Sequence, residues 1–245
     1  TTHADVALCR NRHHCHRRSG RVLSVEVKRR LVLLGAPGSG KGTQAELITR
    51  QFGIPVTSPG AILRREKDLD TPLGQETAEI LQRGDLVPDK TIVKLIEDWL
   101  HLHGSYGFVF DGFPRTLPQA ESLASILKSL KTSLDLAIWL EVSEETVRAR
   151  ISGRLQCRTC GFTTSTDSAH FSNRPVCPYC EGSLERRIDD DAAVLQTRLR
   201  EYNTKTQPLA DFYGKMSILR KIDGNRNRET VFADIAQLIE EEVAA

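Results

Sequence analysis

Four consecutive apolar residues, Leu31-Val32-Leu33-Leu34, stand out from a polar beginning. A short unbroken run of this kind suits a parallel strand buried on both faces. A glycine-rich stretch follows, and residues 44–52 then read as a helix. Farther along, residues 106–110, 136–142 and 218–222 read as strands. Residues 89–102 have the spacing of an amphipathic helix, and 119–130, 190–202 and 229–243 also fit helices. Strands alternating with helices predict an α/β fold with a parallel sheet. Trp99 and Trp139 are expected in its core, and His101 and His103 at its surface. No segment repeats. The run at Leu31 is far short of a membrane span, so no membrane partner is expected.

Composition sharpens this picture in one place. The 245 residues are 27% charged and 39% hydrophobic, which suits one folded domain with small insertions and argues against a disordered or fibrous chain. A net charge of +2 makes no whole-molecule case for nucleic-acid binding. The average hides an asymmetry, however. Residues 1–30 hold eight Lys/Arg and two Asp/Glu, together with four of the seven histidines and two of the six cysteines, Cys9 and Cys15. A basic, disordered tail is expected over residues 1–29. Its Arg-rich, acid-poor character also fits an organellar transit peptide, so a cytoplasmic chain is expected with an organellar one as the alternative. The Cys/His mixture lacks a recognisable metal-ligand spacing.

The candidate chemistry begins where the first strand ends. Gly35-Ala36-Pro37-Gly38-Ser39-Gly40-Lys41-Gly42-Thr43 lies between strand and helix. Glycines let successive N–H groups face one point, the helix start adds partial positive charge, and Lys41 supplies a movable cation. Gly42 stands where a strict phosphate loop has Ser or Thr, so a direct magnesium ligand is missing there. Asp111, at the end of a neighbouring strand, is placed to hold water around Mg²⁺.

A second signal is stronger still. Cys157-x2-Cys160 and Cys177-x2-Cys180 are separated by sixteen residues. Two such hooks can bring four thiolates into the tetrahedron that Zn²⁺ accepts, with no position left for water, so the role is structural. Disulfides and iron are the alternatives. Asp167 and His170 lie inside the loop and read as surface residues. The surrounding stretch has few large apolar residues, and metal can supply its missing folding free energy.

Together these motifs, with Asp111-Gly112-Phe113-Pro114-Arg115-Thr116-x2-Gln119 and Arg187-x-Asp189-Asp190, resemble the adenylate kinases with a long, zinc-bearing lid. The resemblance runs from about Leu31 to the C-terminus. It implies a phosphate-loop three-layer fold around five parallel strands, with a helical insertion that binds the nucleoside monophosphate and a small zinc-binding lid. It divides the chain into a core (30–57, 88–152 and 191–245), a monophosphate-binding segment (58–87) and a lid (153–190). The implied reaction is Mg·ATP plus AMP giving two ADP, in a monomer without nucleic-acid partners. Gly38, Ser39, Gly40, Lys41, Gly42 and Thr43 would hold the ATP phosphates. Arg150, Thr163, Thr164 and the Arg226 carbonyl would lie near the ATP base. Pro59, Arg64, Asp85, Leu86, Val87, Gly112, Phe113, Pro114, Arg115 and Gln119 would form the AMP site, with Gln119 reading adenine. Lys41, Arg115, Arg154, Arg187 and Arg198 would stabilise the transferring phosphoryl group. The resemblance also implies a cis Phe113–Pro114 bond.

Two places depart from the family pattern. Ser58-Pro59-Gly60-Ala61 replaces the usual Ser-Thr-Gly-Asp, removing a hydroxyl near AMP and a carboxylate from the first helical turn, although Ser58 could still cap the helix. Thr163-Thr164-Ser165 replaces a Tyr-His pair. A kinase of UMP or CMP is therefore the runner-up. A zinc-ribbon nucleic-acid binder is a more distant alternative, resting on Arg158, Arg174, Arg186 and Arg187 with Phe162, Phe171 and Tyr179. A guanine-nucleotide switch would need N-K-x-D, which is absent.

Overall fold

The computed structural model describes residues 29–104, 107–166 and 176–241. The expected basic tail (apart from Arg29), Tyr106, Asp167, His170, Phe171, Arg174 and Val243 lie outside the described residues.

The described residues form a five-stranded parallel sheet. Its strands are β1 (Arg30–Gly35), β2 (Val56–Thr57), β3 (Phe108–Asp111), β4 (Leu136–Glu141) and, last in the chain, β8 (Leu219–Asp223), in the order β2-β3-β1-β4-β8. The apolar run at Leu31 becomes the central strand. Leu31, Val32, Leu33 and Leu34 are 0–1% exposed, and each such burial contributes about 1.5–3 kcal/mol.

Helices cover both faces. Leu31, Leu33, Val109 and Ile138 pack against α1 (Lys41–Phe52) and α9 (Arg228–Glu241). Val32, Leu34, Phe110 and Trp139 pack against α4 (Asp89–His103), α5 (Leu117–Ser129) and α8 (Leu209–Lys215). The result is the three-layer α/β arrangement. Trp99 and Trp139 are buried, as expected. His103 is only half-exposed and stacks on Trp99 at 4.9 Å, so it is less of a surface residue than its polarity suggests.

Two insertions stand on this core. The first is α2 (Pro59–Asp68) and α3 (Pro72–Arg83), between β2 and α4. Ser58 precedes α2, but its side chain makes no capping hydrogen bond, against expectation; Pro59 opens the helix instead. The second lies between α6 (Glu144–Ser152) and α7 (Ala192–Glu201). It is an antiparallel sheet of β5 (Arg154–Cys157), β6 (Thr163–Ser165) and β7 (Leu184–Glu185). The helix expected over residues 190–202 is broken differently. A 3-10 turn covers Ile188–Asp190, and the Asp191 carboxylate caps α7 by accepting from the Ala193 N–H. The chain then widens into a π-helix at Tyr202–Thr206 before α8. Among the described residues, no helix is long and apolar enough to cross a membrane.

Candidate active site

The phosphate loop leaves β1 through Gly35 and enters α1 through Gly40. Two glycines are required here on steric grounds. A Cβ on Gly35 would stand 2.6 Å from the Leu140 carbonyl oxygen, and one on Gly38 would stand 2.9 Å from Ile151 Cγ1, both at positive φ. The start of α1 has no side-chain cap. Lys41 bends back over the loop, donating from Nζ to the carbonyl oxygens of Gly35 and Ala36 at 2.8 Å and to Ser39 Oγ at 3.2 Å. Burial lowers its pKa to about 7; Asp111 opposes this, while Arg115, Arg198 and Arg154 add to it.

Asp111 ends β3 beside this loop. A Cβ on Gly42 would lie 3.2 Å from Asp111 Oδ2. The departure at Gly42 thus leaves room beside the carboxylate that a Ser or Thr side chain would crowd.

Around Lys41 the arginines gather from separate parts of the chain. Arg64 of α2 faces Asp189 at 3.8 Å. Arg187 and Arg198 each reach the Asp189 carboxylate at 3.0 Å. Arg154, which opens β5, donates from Nε to Asp190 Oδ2 at 2.7 Å. Arg115 is held by its own turn, donating from Nε to the Gly112 carbonyl at 2.8 Å. Burial lowers the pKa of Arg64 to about 9 and of Arg198 to about 10, and it lowers that of Arg115 as well. Burial alone would raise the Asp189 carboxyl, but Arg187, Arg198 and Arg64 outweigh it and hold the group well below the usual carboxylate range. Two acids therefore hold together cations whose mutual repulsion would otherwise open the site. A polyanion entering this ring would relieve the same repulsion.

The Arg115 backbone is braced twice more. Its N–H donates to Gln119 Oε1 at 2.8 Å, and its carbonyl accepts from Thr206 Oγ1 at 2.9 Å. Thr206 lies at the end of the π-helix, and the widened turn carries it there. Gln119 Nε2 donates to Asp89 Oδ1 at 2.7 Å. The Phe113–Pro114 bond is cis, as expected. Arg150 spans the loop and the turn after β8, donating to the Gly224 carbonyl at 2.8 Å and, at 3.4 Å each, to those of Arg226 and Ser39. Thr163 and Thr164 sit half-buried on β6.

The four cysteines meet in the inserted sheet. Cys157 Sγ lies 3.4 Å from Cys180 Sγ, Cys160 Sγ lies 3.5 Å from Cys177 Sγ, and all four sulfurs fall within 4.8 Å of one another. These gaps far exceed a disulfide bond of about 2.05 Å and approach the roughly 3.8 Å edge of a tetrahedron with ~2.3 Å metal–sulfur bonds. The two hooks are near copies: the Gly161 N–H donates to the Cys157 carbonyl, and the Glu181 N–H to the Cys177 carbonyl, with positive φ at both donors. Burial would raise the Cys157 thiol, but the N–H groups of Cys160 and Thr159 and the Cys180 thiol pull it to about 7; burial pushes Cys160 and Cys177 up. Four sulfurs this close suit a metal ion. Tyr179, in the second hook, accepts from Arg50 Nη2 of α1 at 2.6 Å and packs edge-on against Phe162.

The family model described as adenylate kinase matches residues 33–218. The chain belongs to the adenylate kinase family. It is 41% identical over 210 residues to the adenylate kinase of Geobacillus sp. (strain WCH70), covering 85% of this chain and 97% of that protein. It is 39% identical over 212 residues to that of Carboxydothermus hydrogenoformans, covering 86% and 99%. The adenylate kinase of Archaeoglobus fulgidus is 39% identical over 211 residues, covering 86% and 97%. Adenylate kinases are phosphotransferases of the nucleoside monophosphate class, and the nucleic-acid-binding alternative is not favoured. Arg187, after β7, pairs with Asp189 within the ring of cations, and Arg158, just after β5, faces Glu185 at 3.6 Å.

The structure thus brings Lys41, Arg64, Arg115, Arg154, Arg187 and Arg198 to one place. Sequence reasoning assigned no role to Asp89, Asp189, Asp190 or Thr206. The Arg187-x-Asp189-Asp190 motif itself was the available signal for the two central acids. Thr206 and Asp89 had none, because their partners lie 91 and 30 residues away in the chain.

A pH effect follows from Lys41. With its pKa near 7 the side chain is mostly neutral at pH 8, and a bound polyphosphate restores the charge. ATP binding at pH 8 should take up close to one proton, and far less at pH 6. Calorimetry in two buffers of different ionisation enthalpy measures this. Equal heats in both buffers at pH 8 would contradict it.

Proposed function

We propose that the chain catalyses reversible, Mg-dependent phosphoryl transfer from ATP to AMP, giving two ADP. The observation that carries this reading is the convergence of Lys41 and five arginines drawn from the phosphate loop, the α2 insertion, the core and the small sheet. Phosphoryl transfer asks little covalent chemistry of the protein; it needs alignment and positive charge around the moving group. Gly38 to Thr43 cradle the ATP phosphates, with Arg150 and the turn at Arg226 near the base. Arg64 and Arg115 hold the AMP phosphate, and backbone from Asp85 to Val87 together with Gln119 holds its base. An AMP phosphate oxygen attacks the γ-phosphorus as the bond to the ADP oxygen breaks, and Lys41, Arg115, Arg154, Arg187 and Arg198 share the charge that builds up.

The segment 58–87 acts as the monophosphate clamp, and 153–190 as a lid that excludes water. Asp111 would hold magnesium through water, and the metal would neutralise phosphate charge. Zinc is the ion that best suits four cysteines. The ring is completed within one chain, which supports a monomer.

ADP formation from ATP with AMP, CMP, UMP or GMP at equal concentration tests the reading. AMP should be the preferred acceptor, and preference for UMP or CMP would overturn it. Pro59 opens α2, one residue before a glycine whose added Cβ would lie 3.3 Å from Arg64 Nη1. Pro59→Thr should restore a hydroxyl there and lower the KM for AMP about threefold to tenfold, equivalent to one modest hydrogen bond. Steady-state kinetics with AMP varied will show it; an unchanged or higher KM would count against AMP contact at this position.

A further inference from the structure

Gln119 is 2% exposed, and both ends of its amide are already engaged. Its Nε2 donates to Asp89 Oδ1 at 2.7 Å, and its Oε1 accepts from the Arg115 N–H at 2.8 Å. The two partners are of opposite kind: a carboxylate oxygen can only accept, and a backbone N–H can only donate. Turning the amide over would set Oε1 against the Asp89 carboxylate and the NH₂ group against the Arg115 N–H. Asp89 is in turn fixed from the other side. Its Oδ2 accepts from Thr116 Oγ1 at 3.0 Å, while that hydroxyl accepts the Gln119 N–H at 3.2 Å and caps α5.

We propose that Asp89 is a positioning residue that locks the Gln119 amide in one orientation and so makes the monophosphate site selective for adenine over hypoxanthine or guanine. The inference rests on the AMP-binding role given to Gln119 above. The locked amide keeps one N–H and one oxygen lone pair for a ligand. Adenine offers the matching pair, an acceptor at N1 and a donor at N6. Hypoxanthine and guanine offer the reverse, a donor at N1 and an acceptor at O6. A freely turning glutamine would serve both patterns equally; a locked one leaves the 6-oxo bases with two opposed pairs of like groups. Selectivity then comes from built-in rejection as much as from attraction.

Asp89→Asn separates the lock from mere packing. The new side chain has the same shape, but one end becomes a donor. Thr116 Oγ1 donates to it and so draws its oxygen. The NH₂ group is then left facing Gln119, where it favours the turned-over amide. The Arg115 N–H still favours the original one, and the two orientations come close in energy.

The experiment measures kcat/KM for AMP and for IMP with ATP as donor, in wild type, Asp89→Asn and Asp89→Glu, with thermal unfolding of each. The ratio of AMP to IMP should fall at least about tenfold in Asp89→Asn, mainly through KM, and recover in part in Asp89→Glu. A loss of activity on both acceptors with the ratio unchanged would show that Asp89 only supports the fold, and would overturn the lock. Wild type that fails to use AMP would instead overturn the functional reading beneath it.

Discussion

Replacing Lys41 by Met should reduce the kcat for ADP formation from ATP and AMP by about 10²–10³-fold, the usual cost of losing one preorganised transition-state donor. Met keeps most of the unbranched apolar stem but carries no donor. In the free protein Lys41 hydrogen-bonds to two loop carbonyls and Ser39, and the Asp111 carboxylate that also acts on it keeps Arg115 as a second cationic neighbour. Burial holds the lysine pKa near 7, so the folded chain already tolerates a neutral group there. Thermal stability should therefore change little while turnover collapses. Rate and melting temperature measured together distinguish the two effects. Equal ADP yields from variant and wild type would remove Lys41 from its role.

Metal removal should loosen the small sheet before the core. Its apolar cluster is built from Leu155, Leu184, Cys157 and Cys177, with Cys160 and Phe162 packed against it. That is too little to hold a fold of this size by itself. Structural zinc in comparably small units supplies apparent binding free energies of about 10–16 kcal/mol at neutral pH. The five-stranded sheet has its own apolar layers on both faces and does not draw on the cysteines. With a strong chelator, amides of Leu155, Cys157 and Leu184 should exchange with solvent orders of magnitude faster, while those of Leu31 to Leu34 stay protected. Activity should fall with them, because Arg154 and Arg187 lose their support. Melting of the whole chain in one step, or no change at all, would contradict this division of labour.

The core strands were legible because burial on both faces leaves a continuous apolar run, and Leu31 to Leu34 is such a run. The phosphate loop was legible because its glycines are imposed by close neighbours and positive φ, the Leu140 carbonyl at Gly35 and the Ile151 side chain at Gly38. The cysteine hooks were legible from spacing alone. Other features have no local signature. β2 is only two residues long and shows no periodicity. The π-helix at Tyr202–Thr206 serves a contact to the Arg115 carbonyl far away in sequence. The absent Ser58 cap shows that a capping residue type does not guarantee the bond. The ion pairs that order the arginines depend on how α2, the small sheet and α7 meet, which no spacing within one segment encodes.

In the proposed reaction one ring of cations serves two nucleotides at once. A crystal structure with two adenosines joined by a chain of phosphates tests it most directly. One such molecule per chain is expected, with both bases seated and the phosphates contacted by Lys41, Arg64, Arg115, Arg154, Arg187 and Arg198. A base pocket left vacant, or blocked by the Pro59 ring, would contradict it.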